Sequence, residues 1–261
     1  MMKAFLARLH QGHRTMKFPH GPPPPMPPRF RGRPRIDSSR CPSGCEECAK
    51  ACPTSAISIV DGKPHIDLGR CLFCTDCVDA CPEGAIDYTR DYRLAVLRRE
   101  DLIIDESRVL RLAKALNERM LRIFGRSLKL RQVSAGGCNA CEADVNVLNT
   151  VGWDLSRFGI QFVASPRHAD GLLITGAVPR NMELALRKTY EAVPEPKIVI
   201  AVGACAISGG PYIGHPEILD GTTSSVPVDL LIPGCPPHPL TILDGLLRLL
   251  GRLEGSREDQ D

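Results

Sequence analysis

Long apolar runs are missing from this chain of 261 residues. Crossing a bilayer as a helix takes about 20 consecutive apolar residues, so no transmembrane helix is predicted. The first residues also lack a continuous apolar stretch, a small-residue cleavage site and a twin-arginine pair, so no secretory leader is expected. Aromatic residues make up 5% of the chain and none interleaves with a basic stripe, so nucleic acid is not an expected partner. No G-x-x-x-x-G-K-S/T or G-x-G-x-x-G run follows a strand-like segment, which argues against nucleotide binding. No Ser-His-Asp or Cys-His arrangement stands out, and no catalytic residue is assigned.

Cysteine is abundant instead, with twelve in all. Disulfide-dense scaffolds are usually short secreted chains, so the expectation is an intracellular chain whose reduced thiols gather on metal. Residues 41–88 hold eight of them in an internal repeat. Cys45, Cys48, Cys52, Pro53, Ala56 and Ile57 recur 29 residues later as Cys74, Cys77, Cys81, Pro82, Ala85 and Ile86. Two such copies imply a small pseudo-symmetric domain. Two residues between thiolates let one loop wrap the corner of a cluster, and the proline after the last cysteine turns the chain away. The first copy departs from this spacing, because three residues separate Cys41 from Cys45. The extra one can loop out beside Gly44. A zinc ribbon needs paired cysteines on separated knuckles, a pattern that two runs ending in Cys-Pro fit poorly.

From residue 128 onward, short apolar runs alternate with helix-like segments. Strands are predicted at 128–133, 161–163, 172–175, 198–202 and 230–232, and helices at 142–150, 181–192 and 240–250. The alternation predicts a mostly parallel sheet covered on both faces. Cys138 and Cys141, then Cys205, then Cys235 each follow one of these strands. Loops beyond the carboxyl ends of parallel strands meet where such sheets bind ligands, so these four thiols are expected to converge on a metal centre. Gly203, Gly209, Gly210 and Gly214 read as places where backbone closes on that centre. His168 and His238 are candidate donors to its sulfurs. The Gly-, Pro-, Ser- and Thr-rich segment from Cys205 to Pro227 is expected to cover the metal or meet a partner.

Residues 1–40 carry nine Lys or Arg against Asp37 alone, a local +8 in a chain of net +3. A basic arm on a mildly acidic body predicts an anionic contact. Met2, Phe5, Leu6, Leu9, His13 and Met16 fall on one face of a helix over 1–18, expected to lie on an anionic membrane or dock on a partner. The proline run at 22–28 is extended and reads as a stiff spacer crossing a surface. A second stripe, Val109, Leu112, Ala113, Leu116, Met120 and Ile123, predicts a helix between two domains that stops near Gly125.

These motifs carry a resemblance. Cys71-x2-Cys74-x2-Cys77-x3-Cys81-Pro82 is the run of bacterial two-cluster ferredoxins. With Pro28-Arg29-Phe30-Arg31-Gly32 ahead of it, residues 1–95 resemble the two-cluster ferredoxin-like subunit of respiratory complex I and of membrane-bound group 4 [NiFe] hydrogenases. Gly137-Cys138-Asn139-Ala140-Cys141, Ser165-Pro166-Arg167-His168-Ala169-Asp170, Gly203-Ala204-Cys205-Ala206-Ile207-Ser208-Gly209-Gly210 and Pro233-Gly234-Cys235-Pro236-Pro237 resemble the small subunit beside it. The resemblance implies an α+β two-cluster ferredoxin-like domain followed by an α/β flavodoxin-like domain with a mostly parallel sheet. Its expected parts are a basic helix and proline-rich arm (1–36), the ferredoxin-like domain (37–95), a linker helix (96–127), the small-subunit domain (128–254) and a polar tail (255–261).

Three [4Fe–4S] clusters are implied. By position, the first takes Cys41, Cys45, Cys48 and Cys81, and the second Cys71, Cys74, Cys77 and Cys52, each run lending its fourth cysteine to the other cluster. The third takes Cys138, Cys141, Cys205 and Cys235. Complex I homologues carry adjacent cysteines at the first pair of that last set, and hydrogenase-like ones carry Cys-x-x-Cys, as here. The implied function is electron transfer to or from the active site of a separate large subunit in a hydrogenase-like complex. A complex I-like or nickel-free assembly is the alternative. Implied partners are that large subunit, membrane subunits of the same complex and an external donor such as a ferredoxin, on the cytoplasmic side of the membrane. The family's proton-path glutamate, three residues after the second cysteine, is Asp144 here, and Glu142 is a candidate substitute. On residue chemistry alone, either acid reads as an exposed carboxylate or a helix N-terminal charge. Joining two usually separate subunits is expected to hold the second and third clusters at one distance.

Overall fold

The computed structural model describes residues 2–253 apart from 13, 108 and 109. His13, Val109 and the expected tail at 255–261 lie outside the described residues. Helix α1 (Met2–Gln11) ends well before residue 18, at Gly12 with φ +61°. The chain then docks rather than continuing the helix. Met16 N–H donates to Gly152 O at 2.9 Å, and the Arg157 guanidinium donates to the carbonyls of Met16 and Phe18 at 2.5 and 2.6 Å. Met16 and buried Phe18 therefore pack into the α/β half, whereas Met2, Phe5, Leu6 and Leu9 stay exposed.

The cysteine repeat folds as two similar units. Strand β1 (Pro34–Ile36), helix α2 (Glu47–Ala51), β2 (Ile57–Val60), β3 (Lys63–Asp67), α3 (Asp76–Asp79) and β4 (Ile86–Tyr88) follow in order. β1 pairs antiparallel with β4, placing Ile36 opposite Ile86 and Pro34 opposite Tyr88. β3 pairs antiparallel with β2, placing Ile66 opposite Ile57 and Pro64 opposite Ile59. The strands extend the repeat beyond the cysteines, because Pro34-Arg35-Ile36-Asp37 returns as Pro64-His65-Ile66-Asp67, 30 residues on. The cysteine spacing of 29 therefore puts the one-residue insertion of the first copy between Cys41 and Cys45.

Strand β5 (Ile103–Ile104) adds to β3, so the chain leaves the first unit later than residue 95. The stripe expected as a helix from 109 to 123 is helical only at α4 (Glu118–Phe124). Backbone partners elsewhere hold the preceding residues extended: Ala113 N–H donates to Ala95 O at 2.7 Å and Leu116 N–H to Leu249 O at 3.0 Å. Asn117 then caps α4 through its side chain, 3.0 Å from Met120 N–H.

The second half contains β6 (Leu128–Ser134), α5 (Ala140–Val147), β7 (Ile160–Phe162), β8 (Gly171–Thr175), α6 (Arg180–Ala192), β9 (Ile198–Val202), α7 (Ala204–Ser208), β10 (Leu230–Ile232) and α8 (Pro239–Leu249). Its five strands are all parallel, in the order β7-β6-β8-β9-β10. That is the flavodoxin-like order, whose topological switch lies between β6 and β8. Strands β8, β9 and β10 are buried on both faces, which explains their unbroken apolar runs. Every residue of α8 is buried. Its two charged residues pair with each other, Arg248 Nε donating to Asp244 Oδ2 at 2.9 Å, and Gly245 leaves room for Ala95.

The two halves share one apolar cluster, in which Leu94, Val96 and Leu102 meet Ala201, Ile207 and Leu231. Val96 exchanges both backbone hydrogen bonds with Leu231 at 2.9 and 3.0 Å, covering the β10 edge with a short antiparallel segment. Ser208 Oγ donates to Gly69 O at 2.9 Å across the same seam. The long segment after Cys205 thus meets the chain's own first half.

Candidate metal centres

Cys41, Cys45, Cys48 and Cys81 line one largely enclosed hollow, with Ile59, Pro64, Ala85 and Ile86 among its other walls. Cys52, Cys71, Cys74 and Cys77 line a second, with Ile57, Ile66, Leu72 and Tyr88. Each hollow takes three cysteines from one copy of the repeat and the fourth from the other. Left-handed turns at Ser55 (φ +49°) and Gly84 (φ +61°) swing the next amide back on the preceding cysteine. Ala56 N–H accordingly donates to Cys52 Sγ and Ala85 N–H to Cys81 Sγ, both at 3.2 Å. Phe73 N–H donates to Cys71 Sγ at 3.3 Å.

The third set sits at the carboxyl ends of the parallel strands. Cys138 and Cys141 follow β6 at the topological switch, Cys205 opens α7 after β9, and Cys235 follows β10. Cys141 feels the charges of Cys205, Cys235 and Cys138, so the four form one electrostatic group. Cys138 and Cys235 are exposed at the rim, and the other two are partly buried. Gly203 (φ +92°) and Gly210 (φ +57°) make the close approach possible. A Cβ on Gly203 would stand 2.6 Å from Cys141 Sγ, and one on Gly210 2.8 Å from Cys205 Sγ. Gly214 approaches nothing within 4 Å, and Gly209 approaches Asp220 and Ile213 rather than a cysteine.

The donor chemistry fits a sulfur-ligated cluster. Burial, with a smaller contribution from neighbouring cysteines, pushes the Cys48 thiol up to about 11, the Cys71 thiol up to about 12 and the Cys205 thiol up to about 11. Bare thiolates packed this closely repel one another, and a polycationic centre reverses that penalty. The walls add apolar side chains, and the backbone adds N–H donors aimed at sulfur, the levers that set the potential of an iron–sulfur centre. The second and third sets also sense each other. Burial, then Cys138, then Cys74 push the Cys235 thiol up.

Glu142 is not the exposed acid its sequence position suggests. It is buried, and its Oε1 accepts from Ser134 Oγ at 2.6 Å and Thr175 Oγ1 at 2.7 Å. Burial raises its pKa, but those two hydroxyls and its own backbone N–H outweigh it, leaving the carboxyl below its ordinary range. Asp144 is partly buried, and desolvation moves its pKa upward. It lines a cleft with Arg29, Arg31, Phe73, Cys235 and His238. His238 caps α8, its Nδ1 accepting from Leu240 N–H at 3.1 Å, while Phe30 and Trp153 pack edge-on against its ring. His168 is exposed in the turn before β8, at the amino end of the sheet, and so lies at the edge opposite the third set. Parallel strands separate their two ends, which removes it as a sulfur donor.

A family model described as "4Fe-4S dicluster domain" matches residues 40–85, and one described as "NADH ubiquinone oxidoreductase, 20 Kd subunit" matches residues 138–249. Formate hydrogenlyase subunit 7 of Escherichia coli K12 is 41% identical over 153 residues, 59% of this chain and 58% of that protein. An NADH-quinone oxidoreductase subunit of Citrifermentans bemidjiense is 42% identical over 46% of this chain and 71% of that protein. The probable membrane-bound hydrogenase subunit mbhJ of Pyrococcus furiosus is 40% identical over 51% of this chain and 80% of that protein. This chain belongs to the 20 kDa subunit family. The 20 kDa subunit match opens on Cys138 and reaches into α8, so it contains the whole third set. The dicluster match spans all eight cysteines of the repeat. The chain thus joins a 4Fe-4S dicluster domain to a 20 kDa subunit-like domain, and it spans little more than half the length of formate hydrogenlyase subunit 7.

One contact in the second hollow was not expected from the sequence. Tyr88 Oη lies 3.4 Å from Cys71 Sγ and 3.9 Å from Cys77 Sγ. The repeat itself held the signal, because Tyr88 stands 29 residues after Ile59, where one copy is polar and the other is not.

Proposed function

We propose that this chain is the electron-transfer subunit of a membrane-associated group 4 [NiFe]-hydrogenase-like complex, relaying electrons to or from a large subunit through three [4Fe–4S] clusters. The first rests on Cys41, Cys45, Cys48 and Cys81, the second on Cys52, Cys71, Cys74 and Cys77, and the third on Cys138, Cys141, Cys205 and Cys235. The observation carrying this reading is the succession of three four-thiol sets, two in the hollows of residues 41–86 and one at the carboxyl ends of the parallel strands. When bound, each cluster supplies a one-electron carrier whose potential follows its surroundings. The chain's own residues hold the sulfurs, donate backbone N–H groups to them, and keep water out with Ile57, Ile59, Ile66 and Leu72. The seam at Val96 and Ser208 keeps the second and third sets in register. Exposed Cys138 and Cys235 face the large subunit.

The Cys138-x-x-Cys141 spacing and the hydrogenase names of two relatives support the hydrogenase branch. Likeness to an NADH-quinone oxidoreductase subunit supports a second reading, the same relay in a complex I-like assembly. Of the two acids, Asp144 suits proton exchange better, because desolvation favours its protonated form and it opens on the cleft beside Cys235. Glu142 is held ionised by two hydroxyls. Further partners are membrane subunits and an external donor such as a ferredoxin. Metal analysis of the complex purified with its partners tests the reading. About twelve iron atoms per chain, as three cubanes require, together with nickel are expected. Iron without nickel moves the chain to the second reading, and stoichiometric zinc sinks both.

Contact with the membrane is assigned to α1, whose Met2, Phe5, Leu6 and Leu9 are exposed while Lys3 and Arg8 supply positive charge. No described helix is long and apolar enough to cross a bilayer. Co-sedimentation with vesicles containing anionic lipid should fall several-fold in a Phe5→Glu, Leu9→Glu double variant and weaken as salt is raised. Unchanged sedimentation would remove α1 from the contact.

A further inference from the structure

We infer that Tyr88 tunes the second centre by donating its phenolic hydroxyl to two of that centre's thiolates, a side-chain donor that the equivalent position of the first centre lacks. The inference rests on the cluster assignment proposed above. Tyr88 Oη stands 3.4 Å from Cys71 Sγ and 3.9 Å from Cys77 Sγ, both within reach of a hydrogen bond to sulfur. A metal-bound thiolate has no hydrogen to give, and a phenol keeps its proton at neutral pH, so the hydroxyl is the donor. Nearby Thr54 does not duplicate it, because the Thr54 hydroxyl hydrogen goes to Arg70 O at 2.8 Å. The Phe73 ring, 5.9 Å away centroid to centroid, packs against the phenol.

The counterpart of Tyr88 follows from register. Tyr88 faces Pro34 across β1–β4, and Ile59 faces Pro64 across β2–β3, so the two occupy equivalent positions. Tyr88 lines the second hollow and Ile59 lines the first. The backbone donors after each Cys-Pro are matched, Ala56 on Cys52 and Ala85 on Cys81 at the same 3.2 Å. What differs between these equivalent sites is a hydroxyl on one side and a methyl group on the other. A hydrogen bond to a thiolate ligand favours the more negative, reduced cluster. The second centre therefore has the higher potential of the pair, and electrons entering at the first centre run downhill toward the second, beside the third.

The test uses the full-length, cluster-loaded chain in two variants, Tyr88→Phe and Ile59→Tyr, each assayed for iron and titrated with electron paramagnetic resonance detection. Tyr88→Phe should lower one midpoint potential, leave the other two in place and retain all its iron. Ile59→Tyr should raise the potential of a different centre. Three unmoved potentials in Tyr88→Phe with iron intact would overturn the inference. So would loss of iron from that variant, which would make the ring a packing element only. Wild-type chain that takes up no iron would instead overturn the three-cluster reading.

Discussion

Replacing Gly203 with alanine is expected to empty the third centre while leaving every cysteine in the chain. Gly203 ends β9 with φ +92°, its N–H donating to Ile232 O at 2.8 Å, so the loops after β9 and β10 are locked together there. An alanine Cβ would stand 2.6 Å from Cys141 Sγ, closer than any packed contact, with Gly234 O already in van der Waals contact at 3.5 Å. Holding a non-glycine residue in such a conformation costs about 1–3 kcal/mol before the clash is counted. Cys141 must move, and three thiols do not close a four-thiol site. On the proposed three-cluster reading, iron should fall by about a third, from roughly twelve atoms per chain. The first two centres should survive, because their hollows are built within residues 41–88. Gly214→Ala is the control: it carries similar strain at φ +77° but meets nothing within 4 Å, so its iron should be unchanged. Equal iron in both variants and wild type would refute the close-approach argument.

The second large effect concerns Glu142. Its Oε1 is the shared acceptor for Ser134 Oγ and Thr175 Oγ1, and Thr175 is fully buried. Glu142→Ala leaves the buried Thr175 hydroxyl only a long contact to Val133 O at 3.4 Å, whereas exposed Ser134 can turn to water. A buried polar group without its partner costs about 1–3 kcal/mol, so a loss of about 1–3 kcal/mol is expected in chemical denaturation. Acid should act in the same direction. The folded carboxyl is held below the unfolded value of about 4.3, so its contribution is present at neutral pH and is lost as pH falls through the folded value. Glu142→Gln should flatten that acid limb while retaining more stability than Glu142→Ala. An acid limb of unchanged slope in Glu142→Gln would show that other carboxylates control it.

Much of the architecture was legible because its signals are local. Buried parallel strands declare themselves as short unbroken apolar runs, and those at Ile198–Val202 and Leu230–Ile232 fall where the pattern put them. The cysteine spacing was legible because a loop around a cluster admits few lengths. The repeat could even have located the extra residue near Cys41, since Pro34–Asp37 and Pro64–Asp67 are one step further apart than the cysteines. The stripes were less trustworthy. Met16 and Leu116 sit at helical spacing, but their N–H groups pair with Gly152 and Leu249, partners far along the chain, and long-range pairing overrode periodicity.

The sequence by itself marked the twelve cysteines as candidate ligands and located the strands of the α/β half, because thiol spacing and side-chain hydrophobicity are properties of a few neighbouring residues. Only the tertiary structure decided which groups stand beside the sulfurs. It sent His168 to the far edge of the sheet, joined Glu142 to two hydroxyls, and brought the Tyr88 hydroxyl within reach of two cysteine sulfurs. The reason is physical: strand direction, register and burial are settled by contacts between residues distant in the chain, and no local pattern encodes them.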